Sequence, residues 1–214
     1  MADSAARRGE AFRARCARIG VASVHEAASR RGALPHILTP LDAAMRLAGP
    51  ALPVRAPRGD NLWIHRALAE AGAGDILVVE AGHGEAYGYW GEVMARAALA
   101  RGVAGLVITG GVRDKVQLIA LGLPTFSSSV SILGTVKDPN GDGDVGEPVR
   151  IGDIIVRRGD FVMGDADGLF ACPMADAAAY LDEAEAREAK EQDIFRRLAA
   201  GETTMEIYNL PLGT

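Results

Sequence analysis

Residues 76–79 read Ile76-Leu77-Val78-Val79 and residues 106–108 read Leu106-Val107-Ile108, with an alanine-rich stretch, Gly91 to Arg101, between them. Short unbroken apolar runs fit strands covered on both faces. Gly91 to Arg101 reads as a helix, because alanine is the best helix former and Gly102 supplies a stop. Strand, helix and strand joined by short connections specify a parallel βαβ unit. Upstream, Asn61 to Ala71 reads as a helix capped by Asp60 and ended by Gly72-Ala73-Gly74. Further upstream, Ser23 and Glu26 form a capping box for a helix through Arg30, closed by Gly32. Downstream, Arg113 to Leu121 reads as a short helix ended by Gly122, with Pro124 after it.

Past Phe126 the pattern changes to strands and turns. Strands are expected at Ser131 to Val136, Val149 to Val156, Asp160 to Met163 and Leu169 to Cys172, in an antiparallel or barrel-like arrangement. A helix from Met174 to Ala200, capped by Gly201, closes the chain. Its apolar stripe runs Ala177, Leu181, Ala184, Phe195 and Leu198, and Glu188 and Glu191 interrupt it. The reading is one α/β domain over residues 19–214, with a βαβ core, a β-rich second half and a long C-terminal helix, preceded by a basic extension at residues 1–18.

The 214 residues are 49% apolar and 24% charged, enough to bury a sizeable core and inconsistent with disorder. Lys plus Arg (23) against Asp plus Glu (28) leaves a net charge of −5, which disfavours phosphate backbones and argues against nucleic-acid binding. Only Lys115, Lys137 and Lys190 are lysines; the other cations are arginines, suited to holding carboxylates bidentately. Two cysteines, Cys16 and Cys172, make no disulfide framework, so a reducing cytoplasm is expected. The long uncharged run Val116 to Val136 contains Gly122, Pro124 and Ser127-Ser128-Ser129, which read as turn and strand-edge residues, so no membrane span is expected.

Chemistry concentrates at two helix starts. Gly110-Gly111-Val112-Arg113-Asp114 follows a buried strand and opens a helix, where open α/β sheets present ligand groups. Arginine beside aspartate supplies a cation for an oxyanion and a hard oxygen for a divalent metal. Trp90-Gly91-Glu92-Val93-Met94 likewise opens a helix, and the N–H groups of Val93 and Met94 suit a small carboxylate. Glu92 and Arg113 lie one strand-helix-strand step apart, so the two starts should adjoin. Glu191, on an apolar stripe, either faces water or enters a neighbouring subunit's site. Asp138, Asn140, Asp142 and Gly143 imitate a calcium loop, but Val149 occupies its twelfth position, so a solvated turn is expected. Asp165-Ala166-Asp167-Gly168 reads as a turn between strands, and the four histidines lack ligand spacing.

From about Val24 to Thr204 the chain resembles the family of 4-hydroxy-4-methyl-2-oxoglutarate aldolases and the related regulator of ribonuclease activity A. The resemblance is carried by stretches such as Ala48-Gly49-Pro50-Ala51-Leu52, Gly59-Asp60-Asn61-Leu62, Gly74 to Val79, Trp90-Gly91-Glu92, Val112-Arg113-Asp114, Gly164 to Gly168 and Gly201-Glu202-Thr203-Thr204. It implies a swivelling β/β/α fold assembled as homotrimers or homohexamers, with sites between subunits. It also implies a class II pyruvate aldolase acting on 4-hydroxy-4-methyl-2-oxoglutarate or 4-carboxy-4-hydroxy-2-oxoadipate, with oxaloacetate decarboxylation as a side activity. By resemblance Asp114 binds Mg²⁺ or Mn²⁺ directly, and Glu92 and an adjoining chain's Glu191 act through water. Arg113 then stabilises the pyruvate enolate, and the loop of Gly91 with the amides of Val93 and Met94 holds the pyruvate carboxylate. The alternative is a non-catalytic regulator that binds a ribonuclease or another protein. The sequence departs from the family where Glu92 stands for aspartate, Thr109 for aspartate and His83 for glycine.

Overall fold

The computed structural model describes residues 11–82 and 87–211. Its first elements are α1, described over residues 11–16, α2 (Val21–Ala27), β1 (Thr39–Pro40), β2 (Leu47–Arg55), α3 (Leu62–Glu70), β3 (Ile76–Glu80) and β4 (Gly88–Trp90). There follow α4 (Glu92–Ala100), β5 (Gly105–Val112), α5 (Lys115–Leu121), β6 (Thr125–Val130), β7 (Asp144–Val145), β8 (Val149–Ile151) and β9 (Ile154–Val156). The last elements are β10 (Phe161–Asp165), β11 (Gly168–Cys172), α6 (Met174–Ala199) and α7 (Thr204–Ile207).

The architecture is mixed α/β around a large sheet of order β1-β6-β5-β3-β2-β10-β11, with β4 beside β5 and β7 beside β2. Pairings β2–β3, β3–β5, β4–β5 and β5–β6 are parallel, whereas β10 pairs antiparallel with both β2 and β11. Strand β3 is apolar from Ile76 to Val79 because it serves two cores. Leu77 and Val79 of β3 enter one core with Ile64, Leu68, Met94, Ala98 and Leu118 of the helices. Ile76 and Val78 enter a second with Phe126 of β6, Val149 and Ile151 of β8, and Val162 and Leu169 of β10 and β11. A third core lies beyond β10–β11, where Phe161, Met163 and Phe170 meet Val21 and Val24 of α2 and Ala177, Leu181 and Ala184 of α6. Each large aliphatic side chain buried in this way contributes roughly 1.5–3 kcal/mol.

Several expectations are corrected. Helix α2 begins at Val21 after Gly20, not at a Ser23 capping box. Its first N–H groups are met by distant carboxylates: Asp165 Oδ2 accepts from Val21 N at 3.0 Å and Glu188 Oε1 from Gly20 N at 2.9 Å. Glu188 therefore has a structural task, and Glu26 pairs with Arg30 instead. Residues 131–136 form no strand; the sheet uses Thr125–Val130, and Ile132 is 94% exposed. The serines fit a strand because Ser128 Oγ donates to Thr109 O at 2.7 Å and to Gly110 O at 3.1 Å, where β5 and β6 lose register. The β-rich half is antiparallel but extends the large sheet, and residues 149–156 make a separate hairpin that turns at Gly152 (φ 61°). Phe195 and Leu198 of α6 are exposed. Part of the basic extension is folded: Arg15 pairs with Asp182 at 2.6 Å and Glu185 at 2.9 Å on α6, and Phe12 packs edge-on against Phe161.

Candidate active site

Strand β4 delivers Gly91 and Glu92, and β5 delivers Arg113 and Asp114, because the two strands pair in parallel up to Trp90↔Val112. Arg113 N donates to Trp90 O at 2.8 Å, which locks the two exits together. Helix α5 starts two residues later than expected, at Lys115, so Arg113 lies in the connection and Asp114 is the N-cap. Asp114 adopts the left-handed conformation (φ 57°, ψ 39°), uncommon for a residue with a side chain. Strain of this kind collects at functional sites.

That conformation brings the Asp114 carboxylate to the start of the neighbouring helix α4, where Oδ2 accepts from Glu92 N at 3.0 Å and lies 3.9 Å from Arg113 Nε. Gly91 leaves the room for it: a Cβ there would stand 2.5 Å from Asp114 Oδ2 and 3.1 Å from Arg113 Cγ. The amides of Val93 and Met94 precede Ala95, whose N–H is the first in α4 to reach back four residues, to Gly91 O at 3.1 Å. They are free for an anion, and the helix dipole adds to the attraction. The Glu92 carboxylate is held by Arg96 through Nε at 2.9 Å and Nη2 at 2.7 Å, so in the single chain it braces its own helix.

A cavity of about 260 Å³ opens over this junction, lined by Gly91, Val93, Met94, Arg113 and Asp114. Asn61, His65 and Lys137 line it too, and sequence reasoning missed them in this role. They converge only because the loop at Val136 bridges to Asp60, a pairing with no local signature. Burial pushes the His65 imidazole below its ordinary range, and the nearby Lys137 cation adds to that. Asn61 Nδ2 donates to Tyr89 O at 2.9 Å, and its buried Oδ1 has no partner among the described residues. A second hollow, of about 380 Å³, adjoins Arg113 and Asp114 and is otherwise walled by Val130, Ser131 and Ile132.

Glu191 is not brought to this junction within one chain. It lies on α6 and pairs with Arg187 at 3.3 Å. Asp138, Asn140 and Asp142 form the expected turn, with Asp138 Oδ1 accepting from Asn140 N at 2.9 Å and Asp142 pairing with Arg55. Thr109 is structural, its Oγ1 accepting from Ala81 N at 2.9 Å, and His83 lies outside the described residues. Among the described residues no group of three or more His, Cys, Asp or Glu side chains could enclose a metal. The donor chemistry at Asp114 nevertheless fits a hard divalent ion: one carboxylate oxygen is anchored by an amide, and the remaining positions are open to water and ligand oxygens. No helix among the described residues is long and apolar enough to cross a membrane.

The sequence matches the RraA-like family, described as Aldolase/RraA, over residues 21–170. This chain belongs to that family. A 4-hydroxy-4-methyl-2-oxoglutarate aldolase of Thermus thermophilus is 30% identical over 141 residues, covering 66% of this chain and 84% of the relative. A protein of Halalkalibacterium halodurans that carries the same aldolase name provisionally is 31% identical over 174 residues, 81% of each chain. The solved structure of an RNA-processing inhibitor, RraA, from Thermus aligns with a TM-score of 0.60 and 30% identity, covering 66% of this chain and 84% of that one. The RraA-like fold and the long C-terminal helix α6 thus stand together, and the family holds both aldolase-named and inhibitor-named members.

Proposed function

We propose that this RraA-like chain is a divalent-metal-dependent pyruvate aldolase. It cleaves 4-hydroxy-2-oxo acids such as 4-hydroxy-4-methyl-2-oxoglutarate or 4-carboxy-4-hydroxy-2-oxoadipate to pyruvate and a second oxo acid, and decarboxylates oxaloacetate as a side reaction. The observation that carries this reading is the strained Asp114, set beside Arg113 against the open N-terminus of α4. A regulator without chemistry has no use for that arrangement, although the inhibitor name of the Thermus structure keeps a protein-binding role as the second reading.

Asp114 would hold Mg²⁺ or Mn²⁺, with Glu92 and Glu191 of an adjoining copy supporting it, and the ion would supply Lewis-acid polarisation of the 2-oxo group. The Val93 and Met94 amides fix the carboxylate next to that group, and the planar Arg113 fork donates to the C2 oxygen as it gains negative charge. A water takes the C4 hydroxyl proton, and the C3–C4 bond breaks. Its electron pair passes into the enolate of pyruvate, which a water then protonates at C3. Release of the second oxo acid completes the balance.

The test is pyruvate release from a panel of 4-hydroxy-2-oxo acids and oxaloacetate, with and without EDTA, by the wild type and Asp114→Ala. Turnover lost in EDTA, restored by Mg²⁺ or Mn²⁺ and absent in Asp114→Ala is expected. Full turnover in EDTA sinks the metal assignment, and no turnover on any substrate leaves the regulator.

A further inference from the structure

Lys137 faces the cavity without a role in the mechanism above. Its position is built from both sides: Asn61 N donates to Val136 O at 3.2 Å, Val136 N to Gly59 O at 2.8 Å, and Asp138 N to Asp60 Oδ2 at 2.8 Å. Asp60, buried, uses its other oxygen to accept from Leu62 N at 2.7 Å, so one carboxylate ties the Lys137 loop to the start of α3. His65 follows one turn later in the same helix. Lys137 has no ion-pair partner among the described residues, although the surface carries an excess of carboxylates.

The charge balance of the cavity is therefore one-sided. Arg113 and Lys137 are cationic, Asp114 alone is anionic, and the N-terminus of α4 adds partial positive charge. Arg113 and the α4 amides account for one carboxylate and its neighbouring oxo group. Lys137 and the His65 ring remain as unassigned hydrogen-bonding groups around a space of about 260 Å³, slightly below the ~300–1,000 Å³ of sites for drug-sized ligands.

We infer that Lys137, assisted by His65, receives the second carboxylate of the substrate and is the residue that selects dicarboxylic over monocarboxylic 2-oxo acids. This rests on the aldolase reading, because it takes the pyruvate end to lie on Arg113 and the α4 amides. Lys137 is a specificity determinant that takes no part in bond cleavage.

The probes are 2-oxoglutarate and 2-oxopentanoate, five-carbon 2-oxo acids that differ in a carboxylate or a methyl at C5. Their dissociation constants are measured by calorimetry on the Mg²⁺-loaded protein, with circular dichroism confirming that each variant is folded. The wild type should prefer 2-oxoglutarate. Lys137→Met should cut that preference about 10- to 100-fold, as expected for loss of a charge-assisted hydrogen bond, and Lys137→Arg should retain most of it. Equal wild-type affinity for the two acids overturns the inference, and so does a preference unchanged in Lys137→Met. A wild type that prefers 2-oxoglutarate through Lys137 yet releases no pyruvate from any 4-hydroxy-2-oxo acid defeats the aldolase reading while leaving the carboxylate contact supported.

Discussion

Gly91 has extended backbone angles (φ −152°, ψ −172°) that any residue adopts, so only the space beside it demands glycine. That space is filled by the Asp114 carboxylate and the Arg113 stem, both of which a methyl group would displace. Gly91→Ala should therefore lower kcat/KM by about 100-fold or more, since displacing a reacting group by about 1 Å has that effect. The thermal midpoint should shift little because no strained angle is imposed. A variant with wild-type kinetics shows that the Asp114–Gly91 approach is unimportant. Arg113→Lys tests the neighbouring group: an ammonium keeps the charge but not the planar fork, so kcat should fall by more than about 10-fold while metal affinity is retained. Retention of near wild-type kcat makes the arginine structural. These four residues, Gly91, Glu92, Arg113 and Asp114, were legible in the sequence because each stands where a buried strand gives way to a helix. Lys137, His65 and Asn61 were not, since their meeting depends on the loop at Val136 pairing with Asp60 across the fold.

At the scale of elements, legibility followed the range of the forces involved. Strands β3 and β5 are written in local apolar runs, and α3 and α4 in the glycines that follow them, so their positions hold to within a few residues. The start of α2 is decided by Asp165 and Glu188, 144 and 168 residues away along the chain, and the local Ser23-to-Glu26 pattern loses to them. Asp165 is buried, and it also accepts from Asp167 N at 3.0 Å and lies 3.5 Å from Arg46. Asp165→Ala strips the acceptor from the buried Val21 N–H and from the half-buried Asp167 N–H, so urea unfolding should show a loss of about 2–4 kcal/mol. A loss below about 0.5 kcal/mol indicates that water replaces the carboxylate. The same third core encloses both thiols, and desolvation pushes Cys16 up to about 11 and Cys172 to about 12. Only the thiolate reacts, so at pH 8 both should resist a thiol reagent in the native protein and react together on unfolding. Fast native labelling of either shows that the layer formed by α1, α2 and α6 opens locally.

Among the described residues, apolar side chains are uncovered at several places, and two of these groups bear on assembly. Val130 and Ile132 are exposed at the hollow beside Arg113 and Asp114, with Leu133 and Val136 exposed along the same segment, while Phe195, Tyr208 and Leu210 are exposed on α6 and beyond it. An assembly of three or six copies, as the family resemblance implies, would cover such surface and supply Glu191 from an adjoining copy. Light scattering should accordingly find an active homo-oligomer, and an active monomer refutes a shared site. The sharper measurement mixes two defective chains. Glu191 pairs with Arg187 on its own helix in the single chain, so Glu191→Ala should leave the fold and the assembly intact. If its carboxylate positions water in a neighbour's site, activity or metal affinity should fall about 10- to 100-fold, as when a group one step outside the ligands is removed. Chains carrying Asp114→Ala lack the ion but keep Glu191, and chains carrying Glu191→Ala keep Asp114. After subunit exchange at equal amounts, about a quarter of randomly formed interfaces should join an intact Asp114 to an intact Glu191. The mixture should then exceed the mean of the two parents. Where mass analysis confirms exchange and activity stays at that mean, the site is complete within one chain and Glu191 serves only the solvated face of α6.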